Sequence, residues 1–211
     1  MKKSSDEILD QLIELFPDAH CELNHSTPFQ LLIAVILSAQ TTDVSVNKVT
    51  PALFEKYPDA YTLSKAEVKD VEKLIRNIGL YRNKAKNIIA CAKQIVDEFE
   101  GEVPNTMKKL TSLAGVGRKT ANVVLSVSFN IPAIAVDTHV DRISKRLGFA
   151  KMNDSVLQVE EKLKRKIKRE RWNHAHHLII FFGRYFCTAK NPKCNECPFI
   201  DICKEKNKNL K

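Results

Sequence analysis

The segment Leu113-Ala114-Gly115-Val116-Gly117-Arg118-Lys119-Thr120-Ala121 constrains this chain more than any other. It reads as a tight hairpin that opens directly into a helix. Two glycines one residue apart permit positive φ and let the backbone come close to a partner. The helix that follows offers free N–H groups and the positive end of its dipole, which together favour a phosphate. Lys119 stands in the first turn of that helix. The segment lacks the glycine spacing of a nucleotide-binding P-loop, and the strand and third glycine of a dinucleotide fingerprint. Two readings remain: a plain connector, or a helix–hairpin–helix that holds a phosphodiester without reading its sequence. Downstream, Val136-Asp137-Thr138-His139 places a carboxylate where it would cap a further helix.

The balance of residues points the same way. The chain has 211 residues, 44% of them hydrophobic, enough for a core in one large or two small domains. A formal net charge of +9 favours a polyanionic partner, either nucleic acid or an acidic membrane surface. The longest apolar run, Leu31 to Leu37, falls far short of the ~18–20 residues of a membrane span. The residues from Met1 to Glu7 meet acids at once and hold no apolar stretch, so no secretory signal is read. The expected location is the cytoplasm, in association with the nucleoid.

Helix signals are dense and no strand pattern stands out, so the fold class is all-α, with about ten helices. Ser4 with Glu7, Thr27 with Gln30 and Ser64 with Glu67 fit capping boxes. Pro28 and Pro51 follow threonines, as prolines at the first helical position do. Gly79, Gly101 and Gly148 close apolar-periodic segments as C-terminal caps. Leu9, Leu12, Ile13 and Phe16 give the first helix one apolar face, whereas Leu31–Leu37 is apolar all round and belongs at the centre of a core. Phe129-Asn130-Ile131-Pro132 breaks the pattern and is a candidate junction between two lobes. The basic run Lys162 to Arg169 is read as the solvated face of a helix in preference to a DNA patch. His174, His176 and His177 match no metal pattern and are assigned structural or surface roles. The tail from Lys204 to Lys211 is expected to fray.

Six cysteines are laid out unevenly. Cys21 and Cys91 stand alone on helical patterns and are expected as buried thiols. The other four form Cys187-x6-Cys194-x2-Cys197-x5-Cys203. A cytosolic chain does not hold such a set as disulfides. Structural zinc is one reading. However, only Cys194 and Cys197 form a short knuckle, and Pro198 follows Cys197 as in cluster-binding loops, so the spacing favours a [4Fe–4S] cluster.

Taken together in this order, these motifs resemble the endonuclease III family of bifunctional DNA glycosylases. Leu113 to Asn122, Ala135-Val136-Asp137-Thr138-His139 and the terminal cysteine loop carry the likeness. Leu37-Ser38-Ala39-Gln40-Thr41-Thr42-Asp43 and Ile78-Gly79-Leu80-Tyr81 match as well. The resemblance runs from about Asp6 to Cys203. It implies two helical lobes with a DNA-binding cleft between them. Residues 21–131 would form a six-helix barrel that includes the helix–hairpin–helix. Residues 1–20 and 132–211 would form a discontinuous domain around a [4Fe–4S] cluster held by Cys187, Cys194, Cys197 and Cys203.

The resemblance also implies a chemistry. The chain would be a base-excision-repair glycosylase that removes oxidised or ring-saturated pyrimidines from double-stranded DNA and cuts abasic sites by β-elimination, acting as a monomer. Lys119 would be the nucleophile that forms a Schiff base. A helix N-terminus and partial burial would favour its neutral amine. Asp137 would help activate Lys119 and stabilise positive charge developing on the sugar. Gly115, Val116, Gly117 and Arg118 would hold the backbone, with His139 as a further DNA contact. Arg184, Lys190 and Lys193 on the cluster loop are candidate phosphate contacts. Because chemistry on a stacked base requires flipping it out, Gln40 would fill the vacated space and Leu80 would wedge into the opposite strand.

Two departures from the family pattern are visible. Phe182 stands where some relatives carry histidine. Asp141 takes a position that is often apolar and is expected to alter the electrostatics beside Asp137. Two other functions compete. One is a monofunctional adenine-mismatch glycosylase, against which Lys119 and the short stretch after Cys203 weigh. The other is a non-catalytic DNA-binding iron–sulfur module, disfavoured by Asp137 and the Gln40 motif.

Overall fold

A computed structural model describes residues 3–210. Among them are eleven α-helices: α1 Ser5–Leu15, α2 Pro28–Leu37, α3 Asp43–Lys56, α4 Ala60–Ser64, α5 Val68–Ile75, α6 Tyr81–Phe99, α7 Met107–Ser112, α8 Arg118–Phe129, α9 Thr138–Arg146, α10 Val156–Lys166 and α11 Trp172–Phe181. No strand occurs among the described residues. No described helix is long and apolar enough to cross a membrane. The chain divides into two compact units, Glu22–Asn130 on one side and Met1–Cys21 with Ile131–Lys211 on the other.

The unit Glu22–Asn130 is built around α2. Every side chain from Leu31 to Leu37 is at most 3% exposed, so water touches no face of this stretch. Helices α3, α6 and α8 pack around it. The hairpin after α7 turns at Gly115, whose φ of +76° lies in the left-handed region that side chains disfavour. A Cβ there would come within 3.1 Å of Asn87 Cβ and 3.3 Å of Ile36 Cγ2, on the last turn of α2.

The second unit packs α1, α9, α10 and α11 about Leu9, Leu12, Val140, Ile143, Leu163 and Phe182. After Phe181 the α11 helix continues as one π-helical turn, Phe182–Phe186. Phe182 is fully buried, stacked on Phe186 and edge-on to Phe199. This departure from the family pattern therefore anchors the start of the cysteine loop to the core.

Local signals held where no long-range contact opposed them. Ser4 and Glu7 form a reciprocal capping box. Thr27 caps α2, but Gln30 Oε1 accepts from Ser26 N and not from the cap residue. Ser64 is no cap: it is the last residue of α4 and donates to Tyr61 O, while Glu67 precedes α5 without a side-chain cap bond. Pro28 starts α2, whereas Pro51 lies inside α3, where it costs that helix a backbone hydrogen bond. Leu80, not Gly79, carries the left-handed turn before α6. Cys91 is buried, but Cys21 is only partly so. The tail does not simply fray: Lys204 N donates to Arg146 O at 2.7 Å and Asn209 Nδ2 to Pro192 O at 3.1 Å, while Lys211 lies outside the described residues. The basic run is largely paired or packed, with Lys162 on Asp154, Lys164 on Glu160 and Lys168 on Asp6.

The two hairpin glycines should respond differently to substitution. Gly115→Ala places a Cβ in the left-handed region against two packed side chains and is expected to cost about 1–2 kcal/mol or more. Gly117, at φ −93° with no atom within 4 Å of an added Cβ, should tolerate alanine within about 0.5 kcal/mol. Urea denaturation of the two variants measures the contrast.

Candidate functional site

The hairpin delivers what the sequence promised at one position and withholds it at another. Gly117 is the N-cap of α8 and offers no side chain to the first N–H groups of the helix. A helix start without a side-chain cap is the kind of place where an anion binds. Lys119 occupies the first turn of α8. It is exposed, so the expected partial burial is absent. Val116 is buried and pins the hairpin, and Arg118 is exposed.

Two further loops of the same unit present exposed side chains. Gln40 ends the turn after α2 with φ +53°, and Leu80 precedes α6 with φ +59°. Leu80 is an apolar side chain 56% exposed. A non-glycine residue in this region carries backbone strain of about 1 kcal/mol or more, which folding does not favour on its own account.

In the second unit Asp137 is the N-cap of α9. Its Oδ1 accepts from His139 N at 2.9 Å and from Val140 N at 2.7 Å. His139 Nδ1 lies 3.2 Å from Oδ2. Burial pushes the pKa of this carboxyl up. The His139 and Val140 hydrogen bonds and the nearby His139 and His176 outweigh that and bring it to about 2. His176, 2% exposed, therefore belongs to the surroundings of Asp137, a role the sequence did not advertise. Its neighbour His177 is held down to about 3, mainly by burial. Asp141 pairs with Lys145 at 2.9 Å, one helical turn on, and the largest influences on Asp137 come from burial, His139, Val140 and His176.

The four clustered cysteines are all free thiols and lie within electrostatic reach of one another. Burial pushes Cys197 up to about 11, and Cys187, Cys203 and Cys194 add to the shift. A shared positive centre would relieve such crowding. Cys187, Cys194, Cys197 and Cys203 bring four sulfurs to one loop, the donor set that iron–sulfur clusters take. Arg146, invisible as a site residue in the sequence, donates to Cys187 Sγ at 3.2 Å and to Thr188 O at 3.1 Å. Arg142 donates to Gly183 O at 2.7 Å and Cys187 O at 3.3 Å. These two α9 side chains tie the cysteine loop to the helix that Asp137 caps. Lys190 and Lys193 are exposed on that loop, Lys193 over the Phe186 ring, and Arg184 is partly exposed.

A cavity of about 660 Å³ lies elsewhere in this unit, among Lys145, Lys151, Lys162, Arg165, Lys166 and Lys204. Neither Asp137 nor any cysteine lines it. A duplex needs an open groove and not a concavity sized for a small ligand, so this cavity is not taken as the reaction site.

The lowered pKa makes Asp137 a stabilising charge. The unfolded carboxyl, near 3.8, binds its proton more tightly than the folded one, near 2. The contribution, about 2 kcal/mol, is present above pH ~4 and lost as pH falls through ~2. Asp137→Asn keeps a capping side chain but removes the charge. Acid denaturation should show a stability gap between wild type and variant at pH 7 that closes below pH ~2.

Comparison with known proteins agrees with this geometry. Residues 33–169 match the HhH-GPD superfamily of base excision DNA repair proteins. Residues 187–203 match the iron–sulfur binding domain of endonuclease III. Endonuclease III of Bacillus subtilis is 53% identical over 200 residues, covering 95% of this chain and 91% of the relative. The Escherichia coli K12 enzyme is 46% identical over 202 residues, covering 96% and 95%. A solved structure described as a trapped endonuclease III–DNA covalent intermediate superposes with a TM-score of 0.91 at 55% identity, over 93% of this chain and 92% of that one. Identity near one half over more than nine-tenths of both chains, on the same all-helical fold, shows that this protein belongs to the endonuclease III family.

Proposed function

We propose that this chain removes oxidised or ring-saturated pyrimidines from double-stranded DNA, acting as a monomer, with Lys119 as nucleophile. As a member of its family it is a base-excision DNA glycosylase and abasic-site lyase. The observation that carries the residue assignment is the placement of Lys119: an exposed amine in the first turn of α8, directly after a hairpin whose N–H donors have no side-chain cap. The phosphate gripped by Gly115, Val116, Gly117 and Arg118 would bring the adjoining sugar to the amine.

The reaction follows from those groups. The Nζ lone pair forms a bond to C1′ as the C1′–N bond to the base breaks, and the base leaves with a proton. Asp137, ionised across the physiological range, stabilises the positive charge that develops on the sugar and assists Lys119. The nitrogen lone pair then forms the C1′=N double bond as the C1′–O4′ bond breaks and O4′ takes a proton, opening the sugar ring, and the resulting Schiff base acidifies C2′. Loss of that proton places its electron pair in a C2′–C3′ double bond and expels the 3′ phosphate, cutting the strand.

Gln40 and Leu80 enter the duplex at the flipped nucleotide, which gives a use for two exposed side chains on strained backbone. Residues 21–131 serve as the barrel that presents these loops, and residues 1–20 with 132–211 as the cluster domain. Cys187, Cys194, Cys197 and Cys203 hold the [4Fe–4S] cluster. When bound, it cross-links the loop, which then offers Arg184, Lys190 and Lys193 to phosphates alongside His139 of α9.

Borohydride added to a duplex with one ring-saturated pyrimidine should trap a covalent adduct with the wild type and none with Lys119→Ala. An adduct of undiminished yield in that variant would remove Lys119 as nucleophile. Asp137→Asn should still bind the duplex while turnover falls roughly a hundredfold. A panel of duplexes, each with a different lesion, tests the preference for pyrimidines, and sedimentation velocity of the free and DNA-bound protein tests the monomer.

A further inference from the structure

The unit Glu22–Asn130 contains a lysine placed against its own stability. Lys84 is 4% exposed. It lies in the first turns of α6, whose positive dipole end disfavours a cation. Burial lowers its pKa. Among the described residues its ammonium donates to one hydroxyl, Thr41 Oγ1 at 2.7 Å, and pairs with no carboxylate. Such a group is expensive to bury. A methionine of similar length would pack there at no electrostatic cost.

Its position explains the choice. Lys84 stands one turn into α6 after Leu80, so the helix backbone fixes it relative to the Leu80 turn; its N–H to Leu80 O bond of 3.0 Å is the ordinary first bond of that helix. Its side chain reaches Thr41, the residue after Gln40. The lysine side chain thus ties the helix that opens at Leu80 to the turn that carries Gln40, two exposed residues in the left-handed region. The turns lie side by side, since a Cβ on Gly79 would stand 3.9 Å from Thr41 Oγ1 and 4.0 Å from Gln40 O.

We infer that Lys84 is a positioning residue that clamps the Gln40 turn to the Leu80 turn, so that the two side chains enter the duplex as one rigid wedge. The charged donor makes the bond short and strong without a carboxylate that would repel DNA. Without the clamp each turn must be ordered separately when DNA binds, and that entropy is lost from the flipping step. The inference rests on the reading that Gln40 and Leu80 enter the duplex.

Single-turnover excision from a duplex with a paired ring-saturated pyrimidine tests it. A 2-aminopurine opposite the lesion reports unstacking. Borohydride trapping at a preformed abasic site, where no base pair has to be broken, serves as the internal comparison. Lys84→Met should slow excision and reduce the fluorescence change by roughly tenfold, with a smaller loss of abasic-site trapping. Its thermal midpoint should equal or exceed that of the wild type. Thr41→Val should slow excision in the same way, and Thr41→Ser, which keeps the hydroxyl, should restore it. Wild-type excision by Lys84→Met would overturn the clamp, as would an equal loss in excision and abasic-site trapping. Gln40→Ala and Leu80→Ala separate the two layers of the argument. If they excise normally, the wedge reading itself fails. If they are slow while Lys84→Met is not, only the clamp fails.

Discussion

The burial of α2 from Leu31 to Leu37 is the constraint from which the exposed loops of its unit derive their positions. Leu31 to Leu37 leave no face for water, so neighbouring helices must close around all sides. Two of those neighbours are α8, which carries Lys119, and α6, which carries Lys84 and follows Leu80. The C-terminal end of α2 runs directly into the Gln40 turn. Ile36 of α2 also lies under Gly115, so hairpin and helix are fitted to each other at the level of single methyl groups. Interiors packed this densely transmit displacement, and a change beneath α2 would move several functional loops together.

The second unit rests on α9 in a comparable way. One end of that helix is capped by Asp137, whose carboxylate takes two backbone N–H bonds. Arg142 and Arg146, further along, bind the cysteine loop. Arg146 also meets Glu205 at 3.2 Å, bringing the tail to the same place. A nine-residue helix therefore links the ionised aspartate to the cysteines. Asp141, which looked in sequence like a perturbation of this site, is neutralised by Lys145 within the same helix.

Several of these features oppose folding. Gln40 and Leu80 hold left-handed backbone without glycine, Leu80 exposes an apolar side chain, and Lys84 buries a charge. Strain of this kind persists only where the surrounding structure over-determines it. Three such features gather around adjoining turns, where the packed core and not local preference holds the backbone.

Much of this was legible in the residues. Caps at Ser4 and Thr27, the apolar run of α2, the glycine-bent hairpin and the cysteine spacing are local patterns, and local geometry follows from local chemistry. The misread positions share a cause. Pro51 inside α3, Ser64 at the end of α4 and Leu80 in place of Gly79 are sites where packing overrode the preference of the individual residue. Arg146 to Cys187, His176 near Asp137 and Lys84 to Thr41 span 41, 39 and 43 positions, and no periodicity encodes them. The sequence by itself determined the helical class, the hairpin, the capping aspartate and the four-cysteine loop, because each depends on residues a few positions apart. Only the tertiary structure decided which buried charges support them, because a buried charge is defined by the neighbours that exclude water from it.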